Sequence, residues 1–173
     1  DPRPETETLI EAALSYPFQR ILDLGTGSGC ILLTLLAERE GSKGVGIDLS
    51  DAALTVARRN AEALGVTDRI TFVQSDWYQT VDGPFDLIVS NPPYIASDEM
   101  ATLAPEVQKH EPRMALTDEA DGLTFYRRIV SGCMNHLEPN GRLLVEIGPT
   151  QAVAVSDMMD KAGLSNVTVF RDL

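Results

Sequence analysis

Arg20-Ile-Leu-Asp-Leu24 leads directly into Gly25-Thr26-Gly27-Ser28-Gly29, and that stretch opens into Cys30-Ile31-Leu32-Leu33. A short apolar run of this kind reads as a buried strand, the spaced glycines as a tight turn, and the apolar residues beyond as the start of a helix. Glycine lets a backbone bend sharply and approach a ligand with no Cβ in the way. The first amides of the new helix then face whatever occupies the turn.

Outward from this stretch, further apolar runs recur at Gly44–Asp48, Arg69–Val73, Phe85–Val89, Gly141–Ile147 and Asn166–Phe170. Amphipathic stretches lie between them, roughly Ile31–Arg39, Asp51–Leu64, Leu123–Leu137 and Gln151–Ala162, after a leading helix of about Glu7 to Ser15 that stops at Pro17. Asp51–Leu64 has Ser50 where an N-cap belongs and Gly65 where a left-handed C′ residue belongs. Strands alternating with helices of this length make βαβ units. The expected fold is α/β, a doubly wound and mostly parallel sheet with helices on both faces and right-handed crossovers. Residues 1–19 form a leading segment and helix, and residues 20–173 a single domain. Ligands in such sheets sit beyond the carboxyl ends of the strands, where strand order reverses. The one long irregular segment, Ile95 to about Gly122, has the length of a functional lid or of a disordered stretch, and part of it, Met100–Lys109, can make a short helix.

Composition excludes several classes. The chain has 14 Lys+Arg against 26 Asp+Glu, a net charge of −12, so it repels a polyanion on average and no direct nucleic-acid binding is expected. Its hydrophobic content of 43% and mean hydropathy of −0.06 are those of an ordinary globule. No apolar stretch approaches the ~20 residues that span a bilayer, and no basic region with an apolar core opens the chain as a secretion signal does. A cytoplasmic location and no membrane partner follow as expectations. Cys30 and Cys133 have no Cys or His at metal-ligand spacing, so they read as reduced core thiols and no metal site is expected.

The second run ends in Asp48, nineteen residues after Gly29. That is the offset of the acidic residue that accepts hydrogen bonds from a ribose in nucleotide-binding βαβ units; the plainer reading is a strand-end aspartate capping the next helix. Two adenosine-containing ligands compete. A dinucleotide places its pyrophosphate on the helix N-terminus, usually with Gly-x-Gly-x-x-Gly spacing, and here the third glycine comes one residue early. Asp23 beside the turn repels a pyrophosphate but attracts an ammonium group. Charge matching therefore favours S-adenosylmethionine, which carries an ammonium and a sulfonium and no phosphate. After the third run, Asp76 can accept from the adenine amino group, and Trp77 offers the purine a flat wall or else fills the core.

The fourth run empties into Asn91-Pro92-Pro93-Tyr94. Two prolines fix φ, remove two donors and restrict the residue before each, so the turn is stiff and its carbonyls escape local hydrogen bonding. The Asn91 side-chain carbonyl adds an acceptor. Paired acceptors suit a planar –NH₂ group, whose direction they fix and whose growing positive charge during methylation they favour. Tyr94 can stack on that group or shield it. Asn91, Pro92 and Tyr94 are thus the candidate catalytic residues, with Pro93 completing the substrate turn.

Taken together, Leu22–Gly29, Asp48, Asp76-Trp77 and Asn91–Tyr94 resemble a class I S-adenosylmethionine-dependent methyltransferase with an amino-group target. More narrowly, Pro2-Arg3-Pro4-Glu5-Thr6-Glu7, Glu111-Pro112-Arg113, Ala115-Leu116 and Gly122-Leu123 resemble the release-factor glutamine methyltransferases. The resemblance implies that Gly25, Thr26, Gly27, Ser28, Gly29, Asp48, Trp77 and Asn91 contact S-adenosylmethionine. It also implies that Asn91–Tyr94 hold the glutamine amide of a Gly-Gly-Gln loop in a peptide chain release factor. The products would be N5-methylglutamine and S-adenosylhomocysteine. The residues alone leave an adenine N6-methyltransferase, a ribosomal-protein glutamine enzyme and a silent nucleotide-binding module open. Family members carry an N-terminal helical docking domain and a final antiparallel strand beside strand five, and both are expected to be missing from this chain. His110 and His136 read as ordinary residues, Arg127-Arg128 as solvated, and Glu111 and Arg113 as either channel lining or a loop anchor.

Overall fold

A computed structural model describes residues 4–97, 100, 116–118 and 120–171. The chain divides into two compact units, Asp1–Asn91 with Asn135–Glu146 and Phe170–Leu173, and Pro92–Met134 with Ile147–Val169.

The first unit is built on five parallel strands, β1 (Arg20–Leu24), β2 (Lys43–Asp48), β3 (Ile70–Gln74), β4 (Phe85–Ser90) and β5 (Leu137–Val145), in the order β3-β2-β1-β4-β5. The chain steps outward from β1 to β3 and then returns to the other side of β1, so the reversal falls between β1 and β4. Strand β1 is central, and Ile21, Leu22 and Leu24 are fully buried, the near-continuous apolar run that a covered parallel sheet requires. Helices α1 (Pro4–Leu14), α2 (Cys30–Glu38) and α3 (Asp51–Leu64) flank the sheet. Leu9, Ile10 and Ala13 of α1 and Ile31, Leu32, Leu35 and Leu36 of α2 close one core with Ile21, Leu87 and Val89.

Helix ends follow the chain chemistry. The Ser50 hydroxyl accepts from the Ala53 amide at 3.2 Å, and Gly65 at φ 68° ends α3. The C-terminus of α1 is held by two arginines: Arg142 donates to the Ala12 and Ala13 carbonyls at 3.2 and 2.9 Å, and Arg39 to the Leu14 carbonyl at 2.5 Å. Cations there satisfy open carbonyls and oppose the negative end of the helix dipole.

The second unit contains α4 (Thr124–Cys133) and α5 (Ala152–Lys161), which pack on each other with Tyr126, Ile129, Val130, Cys133, Val155 and Met159 buried. Asp118 accepts from the Ala120, Gly122 and Thr124 amides, each at 2.9 Å, and so organises the entry to α4. Burial would raise its pKa, but those amides hold it below the usual carboxylate range.

Three expectations change. The helix expected over Leu123–Leu137 stops at Cys133, because Leu137 already pairs with Phe85 and the His136 carbonyl accepts from the Phe85 amide at 2.7 Å. Strand β5 begins there rather than at Gly141, with a register jump that lets Glu138–Gly141 bulge out and puts Asn140 at φ 66°. Asn166–Phe170 forms no strand: its amides join no ladder among the described residues, and Val169 and Phe170 are 48% and 63% exposed. Arg127 is exposed, as expected, and its guanidinium also forks onto Asp121 at 2.5 and 3.1 Å. His136 is half-buried, stacked on Tyr78 with centroids 4.5 Å apart. Pro2, Arg3, His110, Glu111, Pro112, Arg113, Ala115 and the expected helix beyond Met100 lie outside the described residues.

Candidate functional site

Three carboxylates close the carboxyl ends of β1, β2 and β3. Asp23, near the end of β1, is 1% exposed. Its Oδ2 accepts from the Thr26 hydroxyl at 2.7 Å, while Oδ1 has no partner. Burial pushes its pKa up to about 7; the Thr26 hydroxyl and the Leu32 backbone oppose the rise, and the Asp48 charge adds to it. With that value the carboxyl is close to half-ionised at neutral pH, and a nearby cation would favour the ionised form.

The bend Gly25–Gly29 is shaped by positive φ at all three glycines, 70°, 56° and 83°. They divide by role. A Cβ at Gly25 or Gly27 would meet nothing within 4 Å, so these two line open space. At Gly29 it would fall 2.9 Å from Leu33 Cδ1 and 3.3 Å from Ala57 Cβ, so this glycine lets α2 and α3 pack. Thr26 is buried, and its amide donates to the Ile47 carbonyl at 2.8 Å, tying the bend to β2. Ser28 is exposed, and its carbonyl accepts from Asn60 at 2.9 Å.

Asp48 takes up the plainer of the two roles foreseen for it, bracing the entry to the next helix. Its Oδ2 accepts from the Gly27 amide at 2.9 Å and its Oδ1 from the Ser50 amide at 2.8 Å, so it braces the bend and the α3 cap together. Each oxygen keeps a second lone pair. Leu49, 58% exposed, stands beside it as an apolar surface that the sequence reading did not single out. Beyond β3 the buried Ser75 donates through its amide to the Asp48 carbonyl at 3.1 Å and through its hydroxyl to the Trp77 carbonyl at 2.8 Å. The half-buried Trp77 sits at φ 54°, a left-handed conformation that a bulky residue adopts only when its surroundings enforce it. Asp76, also half-buried, accepts from Gln79 at 3.4 Å.

Strand β4 ends at Ser90, which pairs with Leu24 in register and donates its hydroxyl to the Leu24 carbonyl at 2.7 Å. Asn91 therefore follows immediately beside the point where Gly25 follows β1. Its Nδ2 donates to the Thr6 hydroxyl at 3.4 Å, and that hydroxyl donates to Glu146 Oε2 at 3.1 Å. Glu146 lies just past β5, with its amide on the Ser90 carbonyl at 3.0 Å. Thr6 was quoted in the sequence only within the Pro2–Glu7 segment that carries the resemblance, with no role of its own, and Glu146 was not singled out, although a carboxylate directly beyond a parallel strand is where the strand-end rule directs attention.

In the second unit Pro92 is buried and Pro93 and Tyr94 are half-buried. The Tyr94 carbonyl accepts from Gln151 Nε2 at 2.8 Å. Gln151 also donates to the Gly122 carbonyl at 3.0 Å and accepts from the Gly148 amide at 2.9 Å. A Cβ on Gly122 would lie 2.6 Å from the Tyr94 oxygen, which is why glycine, at φ 77°, stands there. The prolines thus remove local donors, yet a glutamine from far along the chain takes up the last carbonyl of the turn. No periodicity marks Gln151 for that role.

The family described as "Methyltransferase small domain" matches residues 4–109. The "Release factor glutamine methyltransferase" of Cereibacter sphaeroides is 58% identical over 173 residues, 100% of this chain and 62% of its own length. Its namesake in Rhodospirillum rubrum is 51% identical over 100% of this chain and 54% of its own. The chain spans a little over half the length of these curated relatives. A solved SAM-dependent methyltransferase from Geobacter sulfurreducens, in complex with S-adenosyl-L-homocysteine, gives a TM-score of 0.55 at 25% identity, over 88% of this chain and 53% of its own. With the strand order, this likeness identifies the class I, Rossmann-like methyltransferase fold. One family description covers β1 to β4, the glycine bend and Asn91 alike, and the chain belongs to that methyltransferase small-domain family.

Proposed function

We propose that this chain transfers a methyl group from S-adenosylmethionine to the side-chain amide nitrogen of a glutamine in the Gly-Gly-Gln loop of a peptide chain release factor. The observation that carries this reading is the placement of Asn91 beside the Gly25–Gly29 bend, at the reversal of the sheet. The name shared by the relatives at 58% and 51% identity supports glutamine over adenine as the acceptor.

The residues fit the cofactor. The vacant Asp23 oxygen, buried and short of a cation, suits an α-ammonium group. Gly25 and Gly27 leave room for close approach. The spare lone pairs of Asp48 suit a ribose hydroxyl pair, and Leu49, Asp76 and Trp77 offer the adenine an apolar surface and an acceptor. Thr26 and Ser28 belong to the bend, one bracing it and one facing solvent. When bound, S-adenosylmethionine supplies an electrophilic methyl on a sulfonium.

The chain's own part is to bind and orient. Asn91 presents its carbonyl oxygen to the amide –NH₂, and Pro92 and Pro93 stiffen the backbone that follows. Tyr94 shields the group from water. Acceptors on the nitrogen's hydrogens stabilise the positive charge that grows there as it loses its amide resonance, and once the methyl is bound the nitrogen releases one of those hydrogens as a proton to water, which restores the neutral amide. A positioned, water-poor site supplies much of the remaining acceleration. No protein nucleophile is required. Among the described residues no helix is long and apolar enough to cross a membrane. A translation factor as substrate implies a cytoplasmic reaction.

Incubation with methyl-labelled S-adenosylmethionine and either release factor or duplex DNA tests the reading. Label is expected on the Gly-Gly-Gln glutamine, and Asn91→Ala should lower turnover by about 100-fold or more. Label on DNA would transfer the assignment to adenine, and label on neither substrate would leave a binding module.

A further inference from the structure

Asn91 can serve as an acceptor only if its amide faces the right way. A terminal amide has a carbonyl oxygen on one side and an –NH₂ on the other, and a rotation of half a turn exchanges them. Within the first unit, the partners of Asn91 decide the matter. Glu146 Oε2 accepts the Thr6 hydroxyl proton at 3.1 Å. Having donated, that hydroxyl has only lone pairs to offer, so the Asn91 group facing it at 3.4 Å is the –NH₂. The carbonyl oxygen then lies on the far side of the planar amide. Thr6 is 5% exposed, so little water competes for its lone pairs. The three residues come from separate elements. Glu146 and Asn91 lie just past the neighbouring strands β5 and β4, and α1, which packs on β5, supplies Thr6 from its first turn.

We infer that Thr6 and Glu146 are positioning residues whose directed hydrogen bonds, carboxylate to hydroxyl to amide, set Asn91 with its carbonyl oxygen toward the acceptor substrate. The inference deepens the proposed reaction and rests on it for its catalytic consequence, but the orientation itself is a property of the ligand-free chain. Two costs are avoided by such a relay. A freely rotating Asn91 would spend part of its time presenting –NH₂ hydrogens to the –NH₂ of the substrate, a donor against a donor. Each turnover would also have to select the productive rotamer.

Two readouts separate this inference from the proposed function. In the ligand-free protein labelled with 15N-asparagine, the Asn91 side-chain –NH₂ pair should show one proton shifted downfield and protected from exchange. Thr6→Val, which keeps the shape and removes the hydroxyl, should abolish both, and Thr6→Ser should restore them. An Asn91 pair unchanged by Thr6→Val overturns the inference whether or not the chain methylates a release factor. In turnover, Thr6→Val should lower kcat by about 10- to 100-fold with S-adenosylmethionine affinity unchanged. Thr6→Ser should recover most of the loss. In an Asn91→Ala background Thr6→Val should cost nothing more, because the amide it orients is gone. A wild-type kcat for Thr6→Val, or an undiminished loss in the Asn91→Ala background, contradicts the positioning role. Should Thr6→Val fail to fold, Glu146→Gln replaces it: an amide that can both donate and accept leaves the Thr6 hydroxyl without a fixed direction, and an intermediate loss of kcat is expected.

Discussion

Asp23 concentrates the electrostatics of the proposed cofactor site in one group. An aspartate with an ordinary value of 3.8 and a folded value of about 7 holds a proton in the folded chain that the unfolded chain has released. Between those values the folded state binds more protons, so stability falls as pH rises from about 4 to about 7 and levels off above. Thermal denaturation of the ligand-free protein should show this slope, and Asp23→Asn should flatten it. A cationic ligand reverses the preference, because it favours the ionised carboxylate. S-adenosylmethionine should therefore release a proton on binding near pH 6 and bind about tenfold more weakly at pH 6 than at pH 8. Calorimetry in two buffers of different ionisation enthalpy checks both statements. A pH-independent affinity in the wild type would remove Asp23 from the ammonium site.

At the scale of elements, the strand-to-helix bend shows how similar residues divide labour. Gly25, Gly27 and Gly29 all have positive φ, where an L side chain is strained, so each costs stability when replaced. Only at Gly29 does the added Cβ also strike packed side chains, Leu33 and Ala57. Gly29→Ala should therefore destabilise the fold by about 2–4 kcal/mol, backbone strain and overpacking together. Gly27→Ala should cost only the backbone share, about 1–2 kcal/mol, while weakening S-adenosylmethionine more than Gly29→Ala does. Urea denaturation and calorimetry on the two variants distinguish the roles, and equal effects on both measurements would mean that the three glycines act as one undifferentiated loop. The bend also depends on its neighbours, since the Gly27 amide rests on Asp48 and the Thr26 amide on Ile47. Strand β2 thus holds the loop that follows β1.

For the whole molecule, the net charge of −12 bears on the choice of substrate. Non-specific nucleic-acid binding comes from Lys and Arg releasing counterions from phosphates, and a chain of this sign gains little from that term. Fluorescence anisotropy with duplex DNA at about 150 mM salt should give a Kd weaker than about 10⁻⁴ M, the weak end of non-specific binding. Micromolar affinity under those conditions would bring the adenine reading forward again. A protein loop presenting a neutral glutamine carries no such penalty.

The local chemistry was legible in the residues themselves. Apolar runs predicted β1 to β4 to within a residue, Ser50 and Gly65 bounded α3, and the spaced glycines marked the bend between β1 and α2, because each of these signals lies within one turn or one βαβ unit. The start of β5 was not legible, since Leu137 continues a helical pattern and becomes strand only by pairing with Phe85. Asn166–Phe170 has strand composition, but a strand exists only where a neighbour accepts its ladder, and none does among the described residues. The same limit applies to the candidate site. Asn91 announces an acceptor, whereas the direction in which it accepts was decided by Thr6, 85 residues from Asn91, and by Glu146, 140 residues from Thr6 along the chain. Hydrogen-bond direction at that range belongs to the packed sheet and its helices, because only folding brings three distant polar groups close enough for one to dictate the orientation of the next.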